Sequence, residues 1–133
     1  MLTPEITAVM QECSQGSING TLRFPQVVEK LIAVGAESYH TDLYRHEKTF
    51  YMPSGESHIE SEYEFEALEI AEAFDPESLQ HTIRLVQQAK INYIEFMEQT
   101  AAAGVAHYWV YLAGRCAVYV GRRGDAHTER FPD

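Results

Sequence analysis

Positive charge is missing from the middle of this chain of 133 residues. No lysine or arginine lies between Lys48 and Arg84, and the formal net charge of the whole chain is −10. The same gap holds nine acidic residues: Glu56, Glu60, Glu62, Glu64, Glu66, Glu69, Glu72, Asp75 and Glu77. A protein that binds a phosphate backbone needs clustered Lys and Arg to neutralise it. The composition therefore argues against direct binding to nucleic acid.

Long apolar runs are also missing. No stretch approaches the roughly 18 uninterrupted apolar residues that a membrane span needs, and the first residues lack the basic start and apolar run of a signal peptide. We therefore expect no membrane partner and a cytoplasmic location. The two cysteines, Cys13 and Cys116, belong to no motif. We expect two buried thiols and no disulfide framework.

What the chain does contain is an internal repetition. When the sequence is shifted by 69 residues against itself, residues 24–58 align with residues 93–127 without a gap. Seven of the 35 aligned pairs are identical: Glu29/Glu98, Ala33/Ala102, Gly35/Gly104, Tyr39/Tyr108, Leu43/Leu112, Gly55/Gly124 and His58/His127. Chance would give about two identities, so the repetition predicts a duplicated supersecondary unit.

Local signals divide each copy into two helices, a hairpin and a third strand. Thr3-Pro4 and Asp75-Pro76 each join an N-cap residue to a proline at the first helical position. Gly35 and Gly104 are expected to end the second helix of each copy, because glycine adopts the left-handed conformation found there.

These elements predict an α+β fold in which an antiparallel sheet packs with helices. We expect a single domain, residues 1–133, with repeat one at 3–66 and repeat two at 75–132. A unit of about 60 residues buries little surface alone. The two copies should therefore share one core and be related by a pseudo-twofold axis.

Three finer expectations concern turns and faces. Residues 14–21, with two glycines, are expected to form a loop that holds eight residues absent from the second copy. Gly114-Arg115 suits a two-residue type II′ turn. In residues 59–66, acidic residues alternate with other residues, which predicts a strand with one solvent-exposed face. That face carries Glu60, Glu62, Glu64 and Glu66, and the opposite face carries Ile59, Ser61, Tyr63 and Phe65.

The outer faces of the two hairpins differ. The second has Trp109, Tyr111, Val118 and Val120 and must be covered by the other half, a dimer partner or a ligand. In the first, the matching positions are more polar. The candidate binding surface is His40, Asp42, Tyr44, Tyr51, Trp109 and Tyr111, because Tyr and Trp combine a large contact area with a polar group. The alternative is an ordinary exposed sheet face.

The tripeptides Glu56-Ser57-His58 and Asp125-Ala126-His127 are the candidate catalytic positions. Residues that are two positions apart on a strand point to the same face. Each tripeptide could therefore present a carboxylate beside an imidazole for acid–base chemistry. His58 and His127 are also candidate metal ligands if a twofold axis brings them together. The alternative is a structural hydrogen bond that closes the turn. No phosphate-binding loop, nucleophile elbow or cysteine-pair zinc motif occurs, and we expect no cofactor.

The chain resembles the YdfO/YbcV-like family of small, uncharacterised bacterial and prophage proteins, some of them labelled "phage envelope protein". Residues 33–43 (AVGAESYHTDL), 55–58 (GESH), 103–108 (AGVAHY) and 124–127 (GDAH) carry the resemblance. It covers nearly the whole chain and implies an α+β fold in a bacterial cytoplasmic or mobile-element setting. It implies no activity and no catalytic residues.

Three functions follow from these observations. The leading expectation is a non-catalytic protein that binds a protein partner, with a homodimer as the simplest case. The second is a metal-dependent or acid–base enzyme that uses Glu56, His58, Asp125 and His127. The third is an acidic inhibitor of a nucleic-acid-binding protein.

Overall fold

The computed structural model describes residues 1–62 and 67–132. The helices in these ranges are α1 (Pro4–Asn19), α2 (Phe24–Ala33), α3 (Pro76–Gln87) and α4 (Tyr93–Ala102). The strands are β1 (Ser38–Asp42), β2 (Glu47–Tyr51), β3 (Ser57–Ser61), β4 (Val105–Tyr111), β5 (Cys116–Gly121) and β6 (Ala126–Arg130). The chain order is therefore two helices and three strands, followed by two helices and three strands.

The strands form one antiparallel sheet in the order β3-β2-β1-β4-β5-β6. The predicted α+β class is confirmed. Strands β1 and β4 pair at the centre and join the two halves, and in this register His40 lies opposite Trp109. These two residues are 69 positions apart, which is the offset of the sequence repetition. Common ancestry of the halves stays a prediction.

The four helices pack on one face of the sheet. Burial alternates along β1, β2, β4 and β5, so that every second side chain enters the core. Tyr39, Phe50, Tyr108 and Tyr119 from this face join buried residues of all four helices in one hydrophobic cluster. Such a shared core gives two small units the buried surface that neither has alone.

Helix α1 corrects the expected loop at residues 14–21, because it continues to Asn19 and ends at Gly20 with φ 80°. Ser14 is buried and donates to Glu62 Oε2 at 2.7 Å. Ser17 donates to the Cys13 carbonyl at 2.9 Å. A Cβ at Gly16 would lie 2.6 Å from Leu22 Cδ1. Residues that favour loops in isolation are used here as contacts of a helix.

The expected two-residue turn at Gly114-Arg115 is also wrong. Strand β4 ends at Tyr111 and β5 begins at Cys116, which leaves a four-residue connection. Arg115, with φ 54°, occupies the left-handed region. His46 has φ 53° in the equivalent connection between β1 and β2, so the two hairpins have the same kind of turn.

Strand β3 reverses the expected faces at its described end. Glu62 is fully buried on the helix side, whereas Ile59 faces outward and is 54% exposed. The reason is a buried partner for the carboxylate, Lys48, which the alternation of apolar residues does not reveal. The remaining part of the predicted acidic face, residues 63–66, lies outside the described residues.

Gly35 and Gly104 both follow their helices with positive φ, 82° and 94° respectively. After α2, the Gly35 amide donates to the Ile32 carbonyl and the Ala36 amide to the Leu31 carbonyl, which together form a Schellman motif. The surroundings of Gly35 and Gly104 differ. A Cβ at Gly104 would lie 2.2 Å from the Ala73 carbonyl oxygen, whereas at Gly35 the nearest atom is Met52 Cε at 3.9 Å.

This difference predicts unequal costs for the same substitution. Gly35→Ala should cost about 1–2 kcal/mol of unfolding free energy, because only the left-handed backbone is penalised. Gly104→Ala should cost clearly more, since the backbone around Ala73 must also move. Urea denaturation of both variants measures the difference. Equal costs would contradict the close approach of residues 73 and 104.

Candidate binding surface

One face of the sheet has no helix packed on it among the described residues. We call it the open face, and it consists of the strand side chains that point away from the helices. By the strand registers these are Ser38, His40, Asp42, Glu47, Thr49, Tyr51, Ser57, Ile59, Ser61, His107, Trp109, Tyr111, Cys116, Val118, Val120, Ala126, Thr128 and Arg130. Three of these 18 are charged, so the open face is nearly neutral on a chain of net charge −10.

A row of aromatic and imidazole rings crosses the middle of the open face. The ring centroids of His40 and Trp109 are 4.5 Å apart, and those of His40 and His107 are 5.1 Å apart. Trp109 extends the row to Tyr51 at 5.9 Å and to Tyr111 at 6.2 Å. These spacings are within the range in which aromatic rings attract each other.

The row reaches the turn after β1, where the Tyr44 ring lies 5.8 Å from that of His107. Tyr44 is 56% exposed and Tyr111 is 38% exposed, so both ends of the row are accessible to solvent.

Cys116, next to Tyr111 in the register, is half-buried, which corrects the expectation of two buried thiols; Cys13 is buried as expected.

The structure places the six predicted surface residues together, but gives one of them a structural task. Asp42 Oδ1 accepts hydrogen bonds from the backbone amides of Tyr44, at 2.9 Å, and Arg45, at 3.1 Å. Asp42 therefore stabilises the turn. Whether the six residues bind a partner stays a prediction.

His107 belongs to the row but is absent from the predicted surface. Its Nδ1 lies 3.1 Å from His40 Nε2, within hydrogen-bonding distance. The sequence does contain a signal for it. If the two repeated strands pair antiparallel with His40 opposite Trp109, Asp42 must lie opposite His107, as it does.

Burial lowers the pKa of His40 below its ordinary value of 6.5, the neighbouring His107 lowers it further, and Asp42 opposes both effects. The folded protein therefore binds the His40 proton less readily than the unfolded chain does. The contribution of neutral His40 to stability is complete above pH 6.5. It is lost as the pH falls below that value toward the lowered pKa.

We therefore expect the thermal midpoint of the wild type to fall with acidification below pH 6.5, and to fall less steeply in His40→Gln. The physical reason is that glutamine has no proton to take up on unfolding. Differential scanning fluorimetry over a pH series measures both slopes. His81→Gln, on an exposed position of α3, is the control and should keep the wild-type slope; parallel slopes for all three proteins would contradict the assignment.

The two tripeptides of the enzyme hypothesis lie at opposite edges of the sheet. His58 is on β3 and His127 on β6, and four strands separate them. Five strand spacings of about 4.8 Å give roughly 24 Å, so the structure does not bring the two histidines together. Among residues 1–62 and 67–132, no group of three His, Cys, Asp or Glu side chains is arranged to hold a metal ion.

Within each tripeptide the carboxylate is not the partner of the histidine. His58 Nε2 lies 2.5 Å from Glu60 Oε2, and His127 Nε2 lies 3.4 Å from Glu129 Oε1. Glu56 and Asp125 instead close the preceding turns, because their carbonyl oxygens accept from the amides of residues 52 and 121. The two-residue spacing is a correct clue to sharing a face, but the partner lies on the other side of each histidine.

Comparison with known proteins identifies a family for this chain. A family model described as "Protein of unknown function (DUF1398)" matches residues 11–127. The chain belongs to this family. The matched segment includes all six predicted surface residues and both histidine tripeptides. No curated protein has a significant match to the chain, and no helix in the described ranges is long and apolar enough to cross a membrane.

This DUF1398 protein also has a buried polar cluster on the helix side of the sheet. Glu62 accepts from the Tyr93 hydroxyl at 2.6 Å and from Ser14 Oγ at 2.7 Å, and its carboxylate lies 3.5 Å from Lys48 Nζ. The Lys48 ammonium also lies over the ring of Tyr93, 4.7 Å from its centroid.

Burial and charge act in opposite directions on this cluster. Burial lowers the pKa of Lys48, but the charge and hydrogen bond of Glu62 together with Tyr108 and Cys13 outweigh that effect, and the pKa is raised overall. Burial raises the pKa of Tyr93 well above its ordinary value, so its hydroxyl stays protonated and donates to Glu62. The cluster is satisfied internally, and we assign it a structural role.

In the other half of the sheet, apolar side chains occupy the positions that correspond to this cluster. At the repeat offset, Lys48 and Glu62 correspond to Ala117 and Phe131, and Tyr93 corresponds to Phe24. Phe24 and Phe131 are in edge-to-face contact with ring centroids 5.3 Å apart. The same contact between a helix start and a strand end is thus polar in one half and aromatic in the other.

Removing the lysine from the buried cluster should be costly. Lys48→Met leaves the Glu62 carboxylate uncompensated, and we expect a loss of about 3–5 kcal/mol of unfolding free energy. The double variant Lys48→Met/Glu62→Gln should recover most of it, because the amide keeps a neutral hydrogen-bonding group beside Ser14 and Tyr93. Chemical denaturation measures both values.

Lys30→Met is the matched control, because Lys30 Nζ lies 3.2 Å from Glu12 Oε1 in an exposed pair. Exposed pairs contribute about 0–1 kcal/mol. If the Lys30 and Lys48 variants lost equal stability, the buried pair would not have the role given to it here.

Proposed function

We propose that this protein is a non-catalytic binding protein and that the open face is its binding surface. The observation that supports this is the row of rings across an uncovered sheet, with Trp109 and His40 at its centre. Such a row would be an unusual use of Tyr and Trp on a surface with no partner, because these residues are enriched where proteins meet. Exposed Tyr44, Tyr111 and Ile59 extend the surface outward from that centre.

The charges of the open face favour a protein as the partner. Its charged residues are Asp42, Glu47 and Arg130, and a single arginine is too little for a phosphate backbone. Depletion of charge in the centre and charge at the margin are typical of protein–protein interfaces. A sheet surface of this breadth also differs from the concave sites that small molecules use.

An acid–base enzyme is the second candidate, and the contact between His58 and Glu60 is the observation that favours it. A carboxylate beside an imidazole can orient and charge it. Such an enzyme would use one edge of the sheet alone. We rank it second because nothing else on the described part of that edge suggests a substrate site.

The acidic-inhibitor hypothesis has less support. One of its acids, Glu62, is buried in an ion pair and cannot present charge to a partner.

As for the setting, we propose a bacterial cytoplasmic or prophage-encoded protein of the YdfO/YbcV-like group. The sequence segments that resemble that group are the support for this placement.

Site-specific photo-crosslinking in the producing cell tests the proposal. A photoreactive phenylalanine derivative replaces Tyr111 or Tyr44 on the open face, or Ile32 as the control. Ile32 is a matched position because it is an apolar residue of α2, 49% exposed on the helix layer. We expect a defined adduct from the first two positions, absent at Ile32, with the partner peptide identified by mass spectrometry.

Adducts from Ile32 alone would place the binding surface on the helices. No adduct from either open-face position, with the protein folded and present in quantity, would contradict binding through the open face.

A further inference from the structure

We infer that the partner of the open face is a second copy of this chain, packed face to face about a twofold axis parallel to the central strands. This inference rests on the proposed function, because it needs the open face to be a binding surface. Charge and strand register on the described residues support it, and the area sets the strength of association that it predicts.

Charge limits how two copies can meet. Each carries a net charge of −10, so two copies repel each other overall. The open face contributes two acids and one arginine, a net charge of −1. Approach through this face therefore brings little like charge together, while the acids elsewhere stay in solvent.

The register makes the open face complementary to itself. A twofold axis that runs between β1 and β4 would place each open-face residue of these two strands over the other copy's residue that matches its own cross-strand neighbour. His40 would thus face Trp109 of the second copy, and Asp42 would face His107. The contact between the His40 and Trp109 rings and the placement of Asp42 opposite His107, which occur within one chain, would recur between the copies.

The area predicts the strength of the association. Six strands at about 4.8 Å and five residues at about 3.3 Å span roughly 25 by 17 Å, or about 900 Å² for two copies. Stable interfaces usually exceed about 1,000 Å² in total. We therefore expect a reversible dimer with a dissociation constant of roughly micromolar or weaker, and aligned packing of the two sheets.

Sedimentation velocity over a wide concentration series tests this inference. The wild type should shift from monomer to dimer as concentration rises. Trp109→Lys should weaken the association by roughly thirtyfold or more, as expected for a central aromatic residue. Ile32→Lys adds the same charge to the helix layer and should leave it unchanged. Circular dichroism confirms that each variant is folded.

A mixing experiment tests the register itself. Neither Trp109→Lys nor His40→Glu should self-associate well, but a mixture of the two should form a heterodimer, because the introduced lysine of one copy would face the introduced glutamate of the other. The Cys116 thiol gives an independent readout, since it lies on the open face while Cys13 is buried. Its reaction rate with a thiol reagent should fall as wild-type concentration rises, and should not change in Trp109→Lys.

Three outcomes overturn the inference. They are a monomer at every concentration, a dimer that survives Trp109→Lys, and a dimer whose Cys116 reactivity does not change with concentration. The first leaves the proposed function open to the crosslinking result, because an adduct from Tyr111 to another protein would keep the open face as a binding surface for that protein.

Discussion

The antiparallel pairing of β1 with β4 is the contact on which the rest of the structure depends. It joins two three-stranded units into one sheet and lets four helices share one core. The ladder extends beyond both strand ends, because the Leu43 amide donates to the Ala106 carbonyl and the Leu112 amide to the Glu37 carbonyl, each at 3.0 Å. The same pairing brings His40 beside Trp109, so the contact that completes the fold also assembles the ring row.

The two halves solve one packing problem in different ways. Where a helix start meets a strand end, the first half of the sheet uses a buried ion pair and a phenol, and the second uses two phenylalanines in edge contact. Replacement of buried ion pairs by apolar residues is often tolerated or favourable, so neither solution is required by the backbone. On the other side of the sheet, one hairpin is likewise more polar and the other more apolar.

Features set by neighbouring residues could be predicted from the sequence, and those set by distant partners could not. The N-caps at Thr3 and Asp75 are local and are confirmed, as is the α+β class. The extent of α1 depends on Leu22 and Glu62, and the faces of β3 depend on Lys48. For the site, alternation along one strand is enough to find its rings, whereas His107 needs the pairing of β1 with β4.

Trp109 is the single tryptophan of the chain, and it lies at the centre of the open face. Light absorbed by tryptophan alone is therefore emitted from one known place, between His40, Tyr51 and Tyr111. An emission spectrum of this protein is a local measurement without any label. A change that buries, hydrates or rearranges the centre of the open face will alter the wavelength or intensity of that emission. Changes confined to the helix layer will leave it nearly constant.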